Sequence, residues 1–271
     1  MKIIALVENT VKDANLKQKH GLSVYIETQK HKVLFDLGPD ETYLHNAKKL
    51  GIDLAEIDTV VISHGHKDHG GALASFLEVN RKAKIYLHQQ AFEPHYIKVW
   101  FAKIPIGLNK KLAGNDRFIF TDGFMRIDDE LCLFSDVEGT FDTASNRKLL
   151  KKTSKAYVQD DFSHEQSLIV TEGDKAVLFS GCSHRGIVNI LHAAHRHQVN
   201  IQMVFGGFHL YNPASNVAEP NELVQELVKE LSEWDIVYHT CHCTGNKAFQ
   251  IMRDRMGDKM QYFYTGSAVT F

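Results

Sequence analysis

The chain has 271 residues, 44% of them apolar and 24% charged, with a formal net charge of −2. That length buries a large core, and the composition is that of a globular protein. The near-neutral balance without a long Lys/Arg run argues against a nucleic-acid partner, and no apolar stretch approaches membrane-spanning length.

The opening MKIIALVENT lacks a secretory cleavage pattern. Four cysteines (Cys132, Cys182, Cys241, Cys243) are too sparse for a disulfide framework. A cytoplasmic protein with reduced thiols and no membrane partner is therefore expected.

KIIALVE, LSVYIET and HKVLFDLG read as strands of a mostly antiparallel sheet. ETYLHNAKKLG reads as a helix closed by Gly51, TVVIS as a buried strand, GGALASFLEV as a helix and KIYLHQ as a strand. From about 91 to 161 the periodicity weakens. RFIFTD and LCLFSDV read as strands there, and NRKLLKKTSK as a basic loop. The expectation is an insertion leaning over one end of the fold.

Beyond it, SLIVTEG and KAVLFSGC predict a hairpin around Gly173-Asp174, of type I′ if both residues take positive φ. RGIVNILHAAHRH is helical, with Ile187, Ile190, Leu191 and Ala194 on one face. IQMVFGG is a strand. PNELVQELVKELSEW is an amphipathic helix opened by Pro220, with Leu223, Leu227 and Leu231 in line. DIVYHTC is a strand, NKAFQIMRDRMG a helix, and MQYFYTG the last strand. Two β-rich halves with helices predict two sheets face to face with helices outside. No linker divides them, so residues 1–271 read as one domain of the α/β (α+β) class.

Sixteen histidines are the unusual feature, because several end apolar runs. VVISHGHKDHGGAL places His64, His66, Asp68 and His69 within six positions. In extended backbone His64 and His66 point to one side and can converge on one ion. Asp68 and His69 follow as the chain enters a helix and can serve a second. Imidazole with carboxylate suits Zn, Fe, Mn or Co and disfavours Ca. Further candidates end strands in the second half: Cys182 and His184 in LFSGCSHRG, His209 in VFGGFHL, and His239, Cys241, His242 and Cys243 in HTCHCTG. His164 in FSHEQSL is a weaker one. His239 reads as structural, and His192, His195 and His197 as solvated surface.

SHGHKDHGG resembles the HxHxDH signature of the metallo-β-lactamase superfamily. That resemblance implies a four-layer αββα sandwich with a one- or two-metal site along one edge. HGLSVYIET, NAKKLGIDL, SHGHKDHGGAL, GCSHRGIVNIL, GGFHL and HCTG together resemble a narrower subgroup, that of the archaeal dihydropterin-ribofuranosylaminobenzene-phosphate synthase, over roughly residues 8–245. The family pattern implies that His184 completes the first metal site and His242 the second. It implies too that Asp36 orients a ligand histidine, and that Glu8-Asn9 reaches the site, although a turn role for Asn9 stays open. The superfamily's bridging aspartate is missing, and Cys182 stands near its place. Cys182 either bridges as a thiolate or packs beside the ions, and packing is the expectation. One or two divalent ions are expected, zinc first, with manganese or iron as alternatives.

Three functions follow. The first is a hydrolase that uses a metal-activated water on a small ester, lactone or phosphodiester, with Asp68 orienting the water and His209 either protonating the leaving group or fixing its loop. The second is a synthase-like transferase acting on a flat phosphorylated or pterin-like substrate. The third is a non-catalytic, metal-stabilised ligand sensor. Phe92, Tyr96, Trp100 and Phe101 with Lys98, Lys103, Lys110 and Lys111 read either as a ring-and-phosphate contact or as a cap or homo-oligomer contact.

Overall fold

The computed structural model describes residues 1–271. β1 (Lys2–Val7), β2 (Ser23–Glu27) and β3 (Lys32–Phe35) form a meander. α1 (Thr42–Lys49) leads to β4 (Thr59–Ile62). The short α2 (Lys67–Gly70) and α3 (Leu73–Val79) lead to β5 (Lys84–His88). The middle holds β6 (His95–Val99), β7 (Ala102–Pro105), β8 (Phe118–Thr121), β9 (Phe124–Arg126), β10 (Leu131–Phe134), β11 (Leu149–Lys152) and β12 (Tyr157–Gln159). Then follow β13 (Ser167–Glu172), β14 (Lys175–Phe179), α4 (Ile187–Arg196), β15 (Met203–Gly206), β16 (Tyr211–Asn212) and β17 (Val217–Ala218). The chain closes with α5 (Asn221–Ser232), β18 (Val237–Thr240), α6 (Asn246–Met256), β19 (Met260–Tyr262) and β20 (Ala268–Thr270).

Two seven-stranded sheets carry the fold, ordered β20-β1-β2-β3-β4-β5-β8 and β19-β18-β15-β14-β13-β10-β9. Side-chain alternation along the strands produces the layers. Ile3 and Ala5 of β1 join Leu168, Val170, Val177 and Phe179 in the apolar layer between the sheets. Ile4 and Leu6 point the other way, to Tyr43 and Ala47 of α1 and Phe76 of α3. On the far side Ile169 and Leu178 meet Ile187, Ile190 and Leu191 of α4 and Leu227 and Leu231 of α5. The result is the expected αββα sandwich. No helix is long and apolar enough to cross a membrane.

Five details depart from the sequence expectation. The first sheet is mixed, because β3, β4, β5 and β8 are mutually parallel, and so are β14, β15, β18 and β19 in the second. Crossover connections, helical in every case but β5 to β8, return the chain in the same direction, which a tight hairpin cannot do. Residues 91–161 are not one insertion: β8 joins the first sheet and β9 and β10 the second, while β12-β11-β6-β7 form a separate four-stranded sheet. NRKLLKKTSK contains β11, paired with β6 and β12, rather than a loop. At the Gly173-Asp174 turn only Gly173 takes positive φ, so the I′ condition is not met. The last strand is β20, which closes the first sheet against β1.

Candidate metal centre

The ligand-type residues lie just past the C-terminal ends of strands, all but β1 with a parallel neighbour: Glu8 and Asn9 after β1, Asp36 after β3, His64 to His69 after β4, Cys182 to His184 after β14, His209 after β15 and His242 after β18. Strand ends of this kind gather loops from distant sequence onto one rim. The rim is strained locally. Asp36, Ser183, His209 and His242 are four of the eight non-glycine residues with positive φ, and such backbone persists where surrounding contacts over-determine it.

His64, His66, His69, His184 and His242 are all buried and packed ring to ring. His64 lies 4.5 Å from His66, 4.1 Å from His69 and 5.0 Å from His184, and His69 lies 5.1 Å from His242, between centroids. Four of the rings are held through Nδ1. Ser63 Oγ is 2.9 Å from that of His64, Asp36 Oδ2 2.6 Å from that of His69, Asn146 Oδ1 3.0 Å from that of His184, and Asn9 Oδ1 2.9 Å from that of His242. Asp36 also accepts from the Ser63 amide and hydroxyl, each at 2.7 Å. Glu8 accepts from the His242 amide at 2.7 Å, which pins that loop to β1.

Anchoring at Nδ1 leaves Nε2 of His64 and His184 buried and unpartnered, and that of His242 buried with no hydrogen bond and only the Asp68 carboxylate near it. Unpaired buried nitrogens cost free energy, and several of them converging is the pattern that a cation relieves. His64, His66 and His184 place one ligand atom each within 4.8 Å of one another. Burial pushes these three well below the usual histidine range, and repulsion among the rings adds to it, so they stay neutral and able to bind a cation. His69 differs. Burial pulls it down, but Asp36 and Asp68 outweigh that and raise it to about 9. Asp68 approaches Nε2 of both His242 and His20 at 3.4 Å. Burial pushes its carboxyl up, but His69, His20 and His242 hold it well below the carboxylate range.

Cys182 is buried, as a packed thiol would be, yet its Sγ lies 3.2 Å from His69 Nε2. It shares close ligand groups with His64 and His69, with His184 and His209, and with His242 and Cys243. Its place is therefore the junction of the cluster. His209 lies 4.2 Å from His184, and neither of its ring nitrogens has a partner. The loop is tied by backbone instead, through the His209 amide and Cys243 Sγ at 3.3 Å. Its ring is thus free to act in the cluster.

His164 stands one step back, buried, with Nδ1 accepting from the Gly65 amide at 2.9 Å. His239 stacks on Phe205 at 4.5 Å, away from the rim, as expected. His192 and His195 are exposed, whereas His197 is half-buried against Phe124 and Asp136. Asn146, His20, His95 and Asp160 are not marked by any motif of the sequence. The single available signal, a polar residue beside a strand, is too common to select them.

A cavity of about 250 Å³ opens over the cluster, with His66, Asp68, Cys182, His184, His209 and His242 on its floor. Ile97, Pro105, Ile106 and Leu149 of the four-stranded sheet and its flanks wall one side, and His20 and Lys67 also line it. The aromatic group expected there divides. Phe92 is in the core, Tyr96 packs on Tyr157, and Trp100 and Phe101 stand 86% and 98% exposed at the β6–β7 turn.

Residues 17–141 match the metallo-beta-lactamase superfamily directly, and the fold and the histidine cluster agree with that match. The chain is similar to the 7,8-dihydropterin-6-methyl-4-(beta-D-ribofuranosyl)-aminobenzene-5'-phosphate synthase of Methanocaldococcus jannaschii, at 28% identity over 93% of this chain and 90% of that one. It is also similar to the crystal structure of Tm1679, a metal-dependent hydrolase of the beta-lactamase superfamily, with 28% identity, a TM-score of 0.82, and 100% and 99% of the two chains covered. Zn(2+)-bound PqqB from Methylobacterium extorquens shares the fold at 10% identity, with a TM-score of 0.60 over both full chains.

Proposed function

We propose that the chain is a metal-dependent enzyme of hydrolase type acting on a small molecule seated in the cavity over the histidine cluster. One observation carries this: Nε2 of His64 and His184 is buried and unpartnered while Nδ1 is anchored, and Nε2 of His242, anchored in the same way, faces the Asp68 carboxylate at 3.4 Å. His64, His66 and His184 would hold one divalent ion, and Asp68, His69 and His242 a second, with zinc first among the candidates. Cys182 stands between the two sets, where a thiolate favours a soft or borderline ion. Divalent ions at such a site supply Lewis acidity and make water acidic enough to attack near neutral pH.

The chain's own residues do the rest. Asp68 carries an ionised oxygen at the cavity floor and accepts a proton or orients a water there. His209, with both ring nitrogens free, is placed to protonate a leaving group. The wall of Ile97, Pro105, Ile106 and Leu149 excludes water and accepts a flat apolar group, while Lys67 and His20 suit an anionic one.

Similarity to the archaeal synthase over 93% of the chain supports a second reading, transfer onto an aminobenzene-ribose phosphate in place of water. Zinc- or manganese-loaded protein should be assayed on phosphodiesters, esters and lactones, and on a dihydropterin with an aminobenzene-ribose phosphate. Turnover of the first group that falls at least a hundredfold in Asp68→Asn and His184→Ala supports hydrolysis. Turnover of the pair alone supports transfer. Equal rates in wild type and both variants would overturn the placement of the site.

A further inference from the structure

Three lysines stand level across the four-stranded sheet. Lys98 of β6 and Lys103 of β7 are directly opposed. The register that sets Leu149 opposite Ile97 brings Lys148, one residue earlier, level with Lys98 on its other side. Like charges placed this way repel, and a nearby carboxylate would relieve them. None is paired with these three. The lysines that pair with carboxylates are Lys19, Lys30, Lys82, Lys151 and Lys259. Lys103 lies 4.2 Å over the Tyr157 ring, so its charge has a partner. Lys98 and the half-buried Lys148 have none.

Both of these line a cavity of about 560 Å³, together with Val99, Trp100 and residues 214–217. No acidic side chain lines it, so its charge is positive. The Trp100 indole is almost fully exposed, a large apolar surface beside two unpaired cations. The Oγ of Ser215, another lining residue, is shielded from solvent and has no hydrogen-bond partner. Asn212 Oδ1 fixes that turn, accepting from the Ala214 and Ser215 amides at 3.1 and 3.3 Å.

This space adjoins the cavity over the histidine cluster. Ile97 and Leu149 wall the metal cavity, Lys98 and Lys148 beside them in the chain line the second one, and Ala214 lines both. The β6–β7 and β16–β17 hairpins flank the two spaces alike.

We propose that the second cavity is a subsite for a phosphate carried on a flat ring, with Lys98, Lys148 and Ser215 on the phosphate, Trp100 on the ring, and the far end of the same molecule over the metal centre. Two ammonium groups match the two charges of a phosphate monoester, and a free hydroxyl donates to a further oxygen. A carboxylate would leave one lysine uncompensated. An indole offers a ring face at small cost in conformational freedom. This inference rests on the proposed function, and it defines the substrate class as phosphorylated aromatic molecules.

The test uses zinc-loaded Trp234→Phe protein, in which Trp100 is the remaining tryptophan. Phenyl phosphate is titrated by Trp100 fluorescence and by calorimetry, with phenol as the neutral control. The same protein is compared with Lys98→Gln/Lys148→Gln and with Lys98→Arg/Lys148→Arg. Phenyl phosphate should perturb Trp100 and bind at least about tenfold more weakly in the glutamine variant, while the arginine variant keeps the affinity and phenol gives no response. Added salt should weaken the binding. In turnover, the glutamine variant should raise KM for 4-acetoxyphenyl phosphate and leave that for phenyl acetate unchanged. Equal affinity in all three proteins, or binding by calorimetry without a Trp100 response, would put the phosphate on the metals and overturn the proposal. Lysine-dependent binding with both KM values unmoved would assign the cavity to a separate phosphate-bearing ligand and overturn its role as a substrate subsite. Protein that holds no zinc yet binds phenyl phosphate through the lysines would defeat the proposed function and uphold the phosphate site.

Discussion

Asp36→Asn isolates the orientation of a ligand from everything else at the rim. Asp36 is fully buried and has φ of 60°, a conformation that asparagine also accepts, so the backbone need not move. Its Oδ1 receives the Ser63 amide at 2.7 Å, and its Oδ2 receives the Ser63 hydroxyl at 2.7 Å and His69 Nδ1 at 2.6 Å. In the variant, the amide oxygen must stay on the Ser63 amide, since the reverse sets two N–H groups against each other. The new NH₂ then faces His69 Nδ1, and the hydroxyl can rotate to accept from it, but the ring cannot keep its hydrogen there. In the singly protonated ring that can bind an ion, the hydrogen is then driven to Nε2, the nitrogen 3.2 Å from Cys182 Sγ and the one the ion needs. Loss of such a partner lowers metal affinity about 10- to 100-fold, or about 1.4–2.7 kcal/mol. Losing a hydrogen bond between charged groups costs about 1.5–3 kcal/mol of stability, or about 2–4 °C of Tm per kcal/mol for a chain of this size. Chelator competition with zinc and a thermal melt measure both. Affinity within twofold of wild type, with unchanged Tm, would refute the orientation argument.

Three further outcomes are expected. His31 bridges Asp58 at 2.9 Å and Asp128 at 2.6 Å; burial lowers its pKa, but the two carboxylates raise it by more. Its stabilisation is therefore complete below about pH 6.5 and is lost as pH rises through the elevated folded value. The Tm gap between wild type and His31→Gln should shrink with rising pH, from a gap worth at most about 1 kcal/mol; a gap that widens would contradict the pairing. Gly181→Ala sets a Cβ onto the Ser63 side chain, which anchors His64 and Asp36, and should cost about 1–3 kcal/mol in denaturant unfolding, together with weaker zinc binding. Trp100→Ala, which removes a side chain from a residue that is 86% exposed, should leave stability within about 0.5 kcal/mol. A larger loss would show that the hairpin tip is packed.

The layers were legible because apolar alternation is local: Ile3 and Ala5 face one way, Ile4 and Leu6 the other. Strand direction was not, since it depends on whether a connection crosses over or turns back. β11 was hidden in NRKLLKKTSK because it lies on a small separate sheet, where only Leu149 is buried and the lysines need no burial. At the rim, His64 to His69 could be read together because one loop carries them. Cys182, His184, His209 and His242 could be read from their strand ends. The groups that orient them could not. Asn146 reaches His184 across 38 residues, and nothing in its neighbourhood marks it; Asn9 reaches His242 across 233. Of the orienting residues, Asp36 and Asn9 were signalled through family resemblance alone.

The central claim is that the unpartnered nitrogens at the rim hold metal. Elemental analysis of protein purified without added metal or a His-tag, for wild type, His184→Ala and His242→Ala, tests it directly. The account predicts bound divalent metal in wild type, close to two equivalents after reconstitution, with each variant losing a different one. Wild type without metal even after reconstitution, or variants that retain the full content, would contradict it.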